Sequence, residues 1–422
     1  MADTIRVLIL GGGFGGLAVA RELERVLPRS AAVDLTLVNR DNFFLFTPML
    51  HEIAASDLDI TDIVNPLRKM LRRTRLFTGV VEQIDPERRV VHVSHAGGAH
   101  GHDLPYDYLV IALGATTNFH GIAELENRAF TMKSLGDAIQ LRNRLIEQLE
   151  EADFECAAGM RRPLCSFVVA GGGFAGVETV AAMHDFLRGA ARYYRNLGPN
   201  DVHVTLVHSG AVVLPELGEA LGRYTQMQLA KRGIDVVLEA RVAAVDDISV
   251  TLSTGRTVPA STIVWTAGTA PNPVLETLPC EKKNGRIMTD TCMRVCGLER
   301  MFALGDCAYV PDPATGAAQP PTAQHAMREG VRLARNIAAE LRGEATVPFR
   351  FSTIGLLATI GRRTGVANIF GVNFSGHIAW WLWRTIYLSK LPRFEKKFRV
   401  ALNWTLDVLF SKDLVQFQTR RT

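Results

Sequence analysis

A chain that repeats one glycine-rich turn, each time after an apolar run and before a helix-forming stretch, is committed to open parallel sheets. The first turn is Gly11-Gly12-Gly13-Phe14-Gly15-Gly16, directly after Val7-Leu8-Ile9-Leu10. The second is Gly171-Gly172-Gly173-Phe174-Ala175-Gly176, directly after Phe167-Val168-Val169-Ala170. Each reads as strand, tight turn, helix. Such a turn lets backbone approach a pyrophosphate, and the helix N-terminus adds N–H groups and a positive dipole end. One match is weak evidence. Two in the right context point to two dinucleotides in one protein, whose economical use is electron transfer between a flavin and a nicotinamide.

The rest of the chain keeps this rhythm. A helix is expected over Leu17 to Val26, stopped by Pro28, and a second strand over Val33 to Val38, ending at Asn39. Tyr108 to Leu113 leads into Gly114-Ala115-Thr116, and helical periodicity returns from Leu135 to Leu149. The second unit repeats the scheme: a strand from Phe167, a helix from about Val177, a strand Val202 to Val207 ending at His208. Short strands follow between Val236 and Leu252, and Thr262 to Ala267 ends in Gly268. After Pro271 the chain returns to the first domain, where Met301-Phe302-Ala303-Leu304-Gly305-Asp306 supplies another strand and polar turn. Phe43-Phe44-Leu45-Phe46 fits either a core strand or the wall of a ligand pocket.

Bulk properties narrow the function. At 422 residues the chain holds two or three domains, and its net charge of +4 makes no case for nucleic acid. None of the six cysteines forms a Cys-x-x-Cys pair or a metal-ligand spacing, which suits reduced thiols and no metal. His95, His100 and His102 lie in a glycine-rich loop and read as solvent-exposed. Met1 to Arg6 carries no signal-peptide pattern, and no stretch is apolar for long enough to span a bilayer.

The C-terminal tract is unlike the rest. Trp380, Trp381, Trp383 and Trp404 are four of the five tryptophans, and Gly376 to Thr422 carries nine Lys/Arg against three Asp/Glu. Val400 to Phe410 reads as an amphipathic helix with Arg399, Asn403 and Asp407 as a narrow polar stripe and Val400, Leu402, Trp404, Leu406, Val408, Leu409 and Phe410 around it. Lys390, Arg393, Lys396, Lys397 and Arg399 precede or open it. Interfacial tryptophan, apolar helix faces and adjacent bases suit an anionic bilayer surface. The alternatives are a helical hairpin packed on the core and a homodimer interface.

Taken together, the first fingerprint, Ala112-Leu113-Gly114-Ala115-Thr116, the second fingerprint and Leu304-Gly305-Asp306 resemble the two-dinucleotide flavoprotein reductases. Pro321-Thr322-Ala323-Gln324-His325-Ala326 with Glu329-Gly330 is similar to the quinone-pocket segment of type II NADH dehydrogenases. Leu357-Ala358-Thr359-Ile360-Gly361-Arg362-Arg363 resembles that family's C-terminal region. The resemblance implies an α/β fold of two Rossmann-like dinucleotide-binding domains, the second inserted in the first, plus a C-terminal amphipathic membrane-associating segment. The FAD domain would comprise 1–160 and 270–345, the NADH domain 161–269, and the membrane segment 346–422. It also implies NADH:quinone oxidoreduction without proton pumping, with ubiquinone or menaquinone as acceptor. The place implied is peripheral, on the cytoplasmic face of a bacterial inner membrane.

The resemblance also distributes roles. Gly11, Gly13, Phe14, Gly15, Gly16, Asn39, Gly114, Gly305 and Asp306 would hold FAD, with Asp306 on the ribityl hydroxyls. Gly171, Gly173, Gly176, His208 and Gly268 would hold NADH. Glu178, expected in the first turn of its helix, would orient the nicotinamide or pass protons, and Gln324 with Ala323 would face flavin and quinone. Three positions depart from the pattern: Asn39 for an acidic residue, Glu329 for a glutamine, and His208 for a glutamate that accepts from ribose and repels a 2′-phosphate. His208, with Ser209 beside it, therefore leaves NADPH open. A disulfide or sulfide:quinone reductase needs cysteines beside the flavin that this chain does not place there. A soluble NAD(P)H-dependent reductase would leave the basic, tryptophan-rich tract without a purpose.

Overall fold

A computed structural model of the chain describes residues 4–95 and 100–417. Met1-Ala2-Asp3, the end of the C-terminal tract after Phe417, and the side chain of Val408 lie outside the described residues. In chain order, the first elements are β1 (Ile5–Leu10), α1 (Phe14–Val26), β2 (Val33–Asn39), α2 (Leu50–Ala54), β3 (Arg75–Thr78) and β4 (Tyr108–Ile111). Next come β5 (Ala129–Thr131), α3 (Leu135–Phe154), β6 (Ser166–Ala170), α4 (Phe174–Ala190), β7 (His203–Val207), β8 (Asp235–Val237) and β9 (Thr262–Trp265). The last are β10 (Met301–Ala303), α5 (Ala323–Leu341), β11 (Gly355–Thr359), β12 (Gly365–Ile369), β13 (Val372–Ser375), α6 (Gly376–Lys390) and α7 (Phe394–Leu409).

Both helices after the glycine turns begin at the phenylalanine, three residues before the expected Leu17 and Val177. Glycine is a poor helix former, yet Gly15, Gly16 and Gly176 sit inside the first turns because close packing there admits no side chain.

The residues fall into two compact units. Unit one comprises Met1–Leu45, Val64–Thr116 and Thr269–Thr353. Its sheet is parallel throughout, in the order β10-β4-β1-β2-β3, with Leu10 level with Val38 and Ile111. Val7 to Leu10 and all of β4 are buried, as expected of parallel strands covered on both faces. An antiparallel trio (Val80–Asp85, Val90–Ser94, Gly101–Pro105) is inserted before β4. Phe43–Leu45 is a short strand paired with Val64–Pro66, and Phe44 is buried against the edge of Phe14.

Unit two comprises Phe46–Ile63, Thr117–Gly268 and Ile354–Thr422. Its sheet repeats the first, in the order β5-β9-β6-β7-β8, all parallel. It carries a matching antiparallel trio, Val242–Val245, Ser249–Leu252 and Thr257–Pro259. The antiparallel β11-β12-β13 and helices α6 and α7 also belong to it.

The grouping differs from the 1–160 and 161–269 division expected from sequence. Residues 117–160 go with the second fingerprint because β5 pairs β9, and α3 buries Leu141, Leu145, Ile146 and Leu149 there. A capping box between Ser134 and Asp137 starts α3. Residues 46–63 form an excursion whose helix α2 is buried along its length. The C-terminal tract clasps it: Lys412 Nζ meets Asp57 at 2.5 Å, and Asn403 donates to Asp62 at 2.5 Å.

Candidate functional site

The two turns have one geometry. Gly11 and Gly171 adopt positive φ of +99° and +111°, open to glycine but strained for other residues. A Cβ on Gly16 or Gly176 would lie 1.9 or 1.7 Å from the carbonyl oxygen of Gly11 or Gly171. A Cβ on Gly13 or Gly173 would meet nothing within 4 Å. Each turn is thus closed on its own strand and open at the helix N-terminus, a cradle that fits a pyrophosphate. Gly15 does something else: a Cβ there would collide with the Leu304 side chain at 2.6 Å, and one on Gly330 with the Gly15 carbonyl at 2.5 Å. Both admit the close packing of α1 on α5.

Beyond its turn, unit one gathers Asn39, Gly305, Asp306, Glu329 and the start of α5. Asn39 Oδ1 accepts from Gly12 N–H at 2.8 Å, and its Nδ2 donates to the Asp41 carbonyl at 2.7 Å. The amide oxygen keeps a second lone pair for a ribose hydroxyl. Gly114 and Gly305 turn the chain with φ of +66° and +71°. Gly305 N–H donates to Glu329 Oε2 at 2.8 Å, and burial pushes that carboxyl up to about 7. Glu329 therefore anchors the Gly305-Asp306 turn, a role its departure from glutamine did not suggest. Asp306 does not cap α5; Thr322 does, accepting from the His325 N–H. Ala323 and Gln324 open α5, and Thr322 Oγ1 lies 2.7 Å from His325 Nδ1. Cys307, next to Asp306, is fully buried, and that burial pushes its thiol up to about 11, far from a reactive thiolate.

Unit two holds a cleft of about 740 Å³ along the second turn, lined by Gly171-Gly172-Gly173, His208, Ser209, Arg241 and Gly268 among others. His208 copies the bond of Asn39: its Nδ1 accepts from Gly172 N–H at 3.1 Å. Its Nε2 faces the Val212 carbonyl at 3.0 Å, and together these put the proton on Nε2. His120 leans over Gly268, whose Cβ would lie 2.5 Å from His120 Nε2.

Glu178 corrects an expectation. It is the fifth residue of α4, one turn inside the helix rather than in its first turn. Its Oε1 accepts from Trp383 Nε1 at 2.9 Å and from Thr359 N–H at 3.1 Å. Its Oε2 lies 3.8 Å from His51 Nδ1, while His51 Nε2 is 3.4 Å from Thr359 Oγ1. Burial pushes Glu178 up to about 8 and His51 down to about 3, so at neutral pH both are uncharged. Three stretches remote in sequence meet here: the 46–63 excursion, the strand-end Thr359 and the tryptophan-rich α6. Nothing in the sequence flagged His51, and Thr359 was visible only as part of a family-like motif.

The same packing corrects the reading of the C-terminal tract. Trp383 and Trp404 are buried, and Trp404 Nε1 donates to Glu52 at 3.2 Å. Lys396 is buried with its ammonium on the Thr61 carbonyl, and Lys397 donates to the Ser389 carbonyl at 2.6 Å. Asn403 and Asp407, read as part of the polar stripe, pair with Asp62 and Arg362. The outward side of α7 carries an apolar stripe beside the exposed Glu395, Arg399 and Thr405. Phe394, Phe398, Leu402 and Leu406 recur every four residues along α7 and are 83, 64, 47 and 40 % exposed. On α6, Ile378 and Trp381 are 65 and 66 % exposed and line a shallow groove of about 350 Å³ with Leu382 and Ile386. Among the described residues, no helix is long and apolar enough to cross a membrane, and no cluster of His, Cys, Asp or Glu is arranged to hold a metal.

Comparison with known proteins gives the following. Residues 5–330 match the family described as pyridine nucleotide-disulphide oxidoreductase, and residues 354–413 match the NDH2 C-terminal domain. The chain is 32 % identical over 426 residues to the type II NADH:quinone oxidoreductase Ndh of Mycobacterium tuberculosis, covering 96 % of this chain and 89 % of that one. It is 30 % identical over 420 residues to a probable NADH dehydrogenase of Dictyostelium discoideum, covering 98 % and 91 %. Its fold is similar to that of NDH2 from Plasmodium falciparum, solved in complex with NADH. There the TM-score is 0.89 at 20 % identity, covering 98 % of this chain and all of the other.

Proposed function

The chain belongs to the type II NADH:quinone oxidoreductases, and from that membership we infer that it oxidises NADH and reduces a quinone by two electrons, without pumping protons, using FAD. The observation that carries the reading is the duplicated turn, closed on its strand and open at its helix, in two units of one chain. Bound FAD supplies the two-electron carrier between hydride donor and quinone. Gly11, Gly13, Gly16 and Asn39 would hold its pyrophosphate and ribose, and Asp306 its ribityl hydroxyls. Gly171, Gly173 and Gly176 would hold the NADH pyrophosphate. Gln324 and Ala323, at the start of α5, would meet the quinone head group, where a primary amide both donates and accepts.

Glu178 fits a proton-holding role. With Oε1 taken by Trp383 and Thr359, its proton belongs on Oε2, beside His51. Quinone reduction takes up a proton beyond the hydride, so a carboxyl kept neutral at pH 7 is suited to deliver one. The decisive experiment mixes the flavoprotein anaerobically with NADH, then with a short-chain ubiquinone or menaquinone. Bleaching of the flavin band followed by recovery is expected. Bleaching with no recovery by either quinone would defeat the assignment and favour a nucleotide sensor.

The enzyme would sit peripherally, on the cytoplasmic face of a bacterial inner membrane, with α6 and α7 against the lipid. What supports this is the outward apolar stripe Phe394, Phe398, Leu402 and Leu406 with Ile378 and Trp381. Apolar burial at the interface, rather than the basic cluster, supplies the attachment, since Lys396 and Lys397 are used internally. Flotation with vesicles tests it: replacing the four stripe residues by serine should abolish binding. If that variant still floats and wild type is dimeric in solution, the stripe is a dimer interface instead.

A further inference from the structure

The end of the second strand is where a Rossmann unit tests the adenosine ribose. A carboxylate there accepts from the 2′-hydroxyl and repels a 2′-phosphate. His208 stands in that place with both ring nitrogens spent, one on Gly172 N–H and one on the Val212 carbonyl. It neither grips the hydroxyl nor repels a phosphate.

A cation lies beside it that is far away in sequence. Ala240 N–H donates to the His208 carbonyl at 3.1 Å, and Glu239 N–H to the Gly210 carbonyl at 3.2 Å. These bonds lay residues 239–241 along the 208–210 turn and bring Arg241 to the same cleft wall as His208 and Ser209. The Arg241 backbone N–H is held by Ser253 Oγ, while its guanidinium makes no hydrogen bond or ion pair among the described residues. The nearby carboxylates are Glu216, which lines the cleft, and Glu239; both are exposed.

We propose that the adenosine end of this cleft takes a 2′-phosphate, with the Arg241 guanidinium and the Ser209 hydroxyl as donors, so that NADPH as well as NADH is a substrate. A guanidinium presents paired N–H groups that match two phosphate oxygens, and it stays charged at any working pH. The proposal rests on the reading of the second fingerprint as the nicotinamide nucleotide site.

The test uses the intact flavoprotein and two probes, 5′-ADP and 2′,5′-ADP, titrated for binding without turnover. Wild type should bind 2′,5′-ADP more tightly than 5′-ADP. Arg241→Ala should lower the NADPH-to-NADH ratio of kcat/KM about tenfold or more, the loss expected of one charge-assisted hydrogen bond. Arg241→Lys should recover part of it, and His208→Glu should lower the same ratio by reinstating the repulsion. Equal binding of the two probes to wild type, or a ratio indifferent to Arg241→Ala, overturns the proposal. A preparation that binds 2′,5′-ADP through Arg241 yet reduces no quinone would support it while defeating only the acceptor assignment above.

Discussion

The two nucleotide units have nearly the same backbone and different side chains around it. Each has a five-stranded parallel sheet, a glycine turn at positive φ, and a side chain at the end of the second strand that accepts from the middle glycine's N–H. The differences begin one turn into the helix. At the position of Ala18 in α1, where a small residue admits Gly330 of α5, α4 carries Glu178. In unit one the helix is covered by another helix through glycine contacts. In unit two it is covered by polar groups, Trp383 and Thr359, that fasten a carboxyl. The fold therefore repeats the turn twice, and holds a buried, hydrogen-bonded carboxyl only where the cover changed.

The largest effect that would break this comparison is a methyl group in either turn. Gly16→Ala and Gly176→Ala place a Cβ within 2 Å of a carbonyl oxygen, which a backbone cannot absorb without moving. Gly16→Ala should yield protein with its flavin lost. Gly176→Ala should keep its flavin yellow and lose NADH kcat/KM by about a hundredfold or more, as a displaced helix end forfeits its pyrophosphate bonds. If both variants lose flavin equally, the assignment of different nucleotides to the two turns fails.

A smaller effect comes from the cover of Glu178. Trp383→Phe keeps an aromatic side chain but deletes the N–H that reaches Oε1 and shrinks a fully buried ring, and should cost about 2–4 kcal/mol of stability from the lost bond and the cavity together. The pH dependence has a definite sign. Because burial holds Glu178 at about 8, well above its unfolded value, its contribution is complete at acid pH and is lost as pH rises toward 8. The slope is about 1.4 kcal/mol per pH unit for one such group. Glu178→Gln should therefore flatten the fall of Tm across the neutral range, with the remaining slope owed to Glu52 and Glu329, which burial also holds at about 8 and about 7. An unchanged slope would mean that Glu178 is ionised in the folded protein.

How much of this was legible in the sequence follows the same division. The strands and turns were readable because parallel strands are continuously apolar and each turn needs glycine at its start and at its close, Gly11 and Gly16 in one and Gly171 and Gly176 in the other. The site around Glu178 was not, since it depends on where His51, Thr359 and Trp383 arrive from stretches with no shared periodicity. The C-terminal tract misled in a specific way. Asn403 and Asp407 read as part of a polar stripe and Lys396 as part of a basic cluster at a bilayer surface, but they are taken up by the protein's own Asp62, Arg362 and Thr61 carbonyl. A stripe pattern gives the period of a helix; which side meets solvent depends on partners elsewhere in the chain.

The smallest effect sharpens the one feature the units share most closely. Asn39 Oδ1 and His208 Nδ1 are both neutral acceptors for a glycine N–H. His208→Asn should keep the bond to Gly172 and lose only the one to the Val212 carbonyl, at a cost of about 1 kcal/mol. Asn39→Ala leaves the Gly12 N–H without its acceptor and frees the Asp41 carbonyl, so it should cost somewhat more and weaken flavin retention. Differential scanning fluorimetry on the two variants ranks them. If His208→Asn is the more damaging, the imidazole is holding the 208–212 turn rather than serving the glycine loop. The likeness between the two strand ends would then be one of position and not of function.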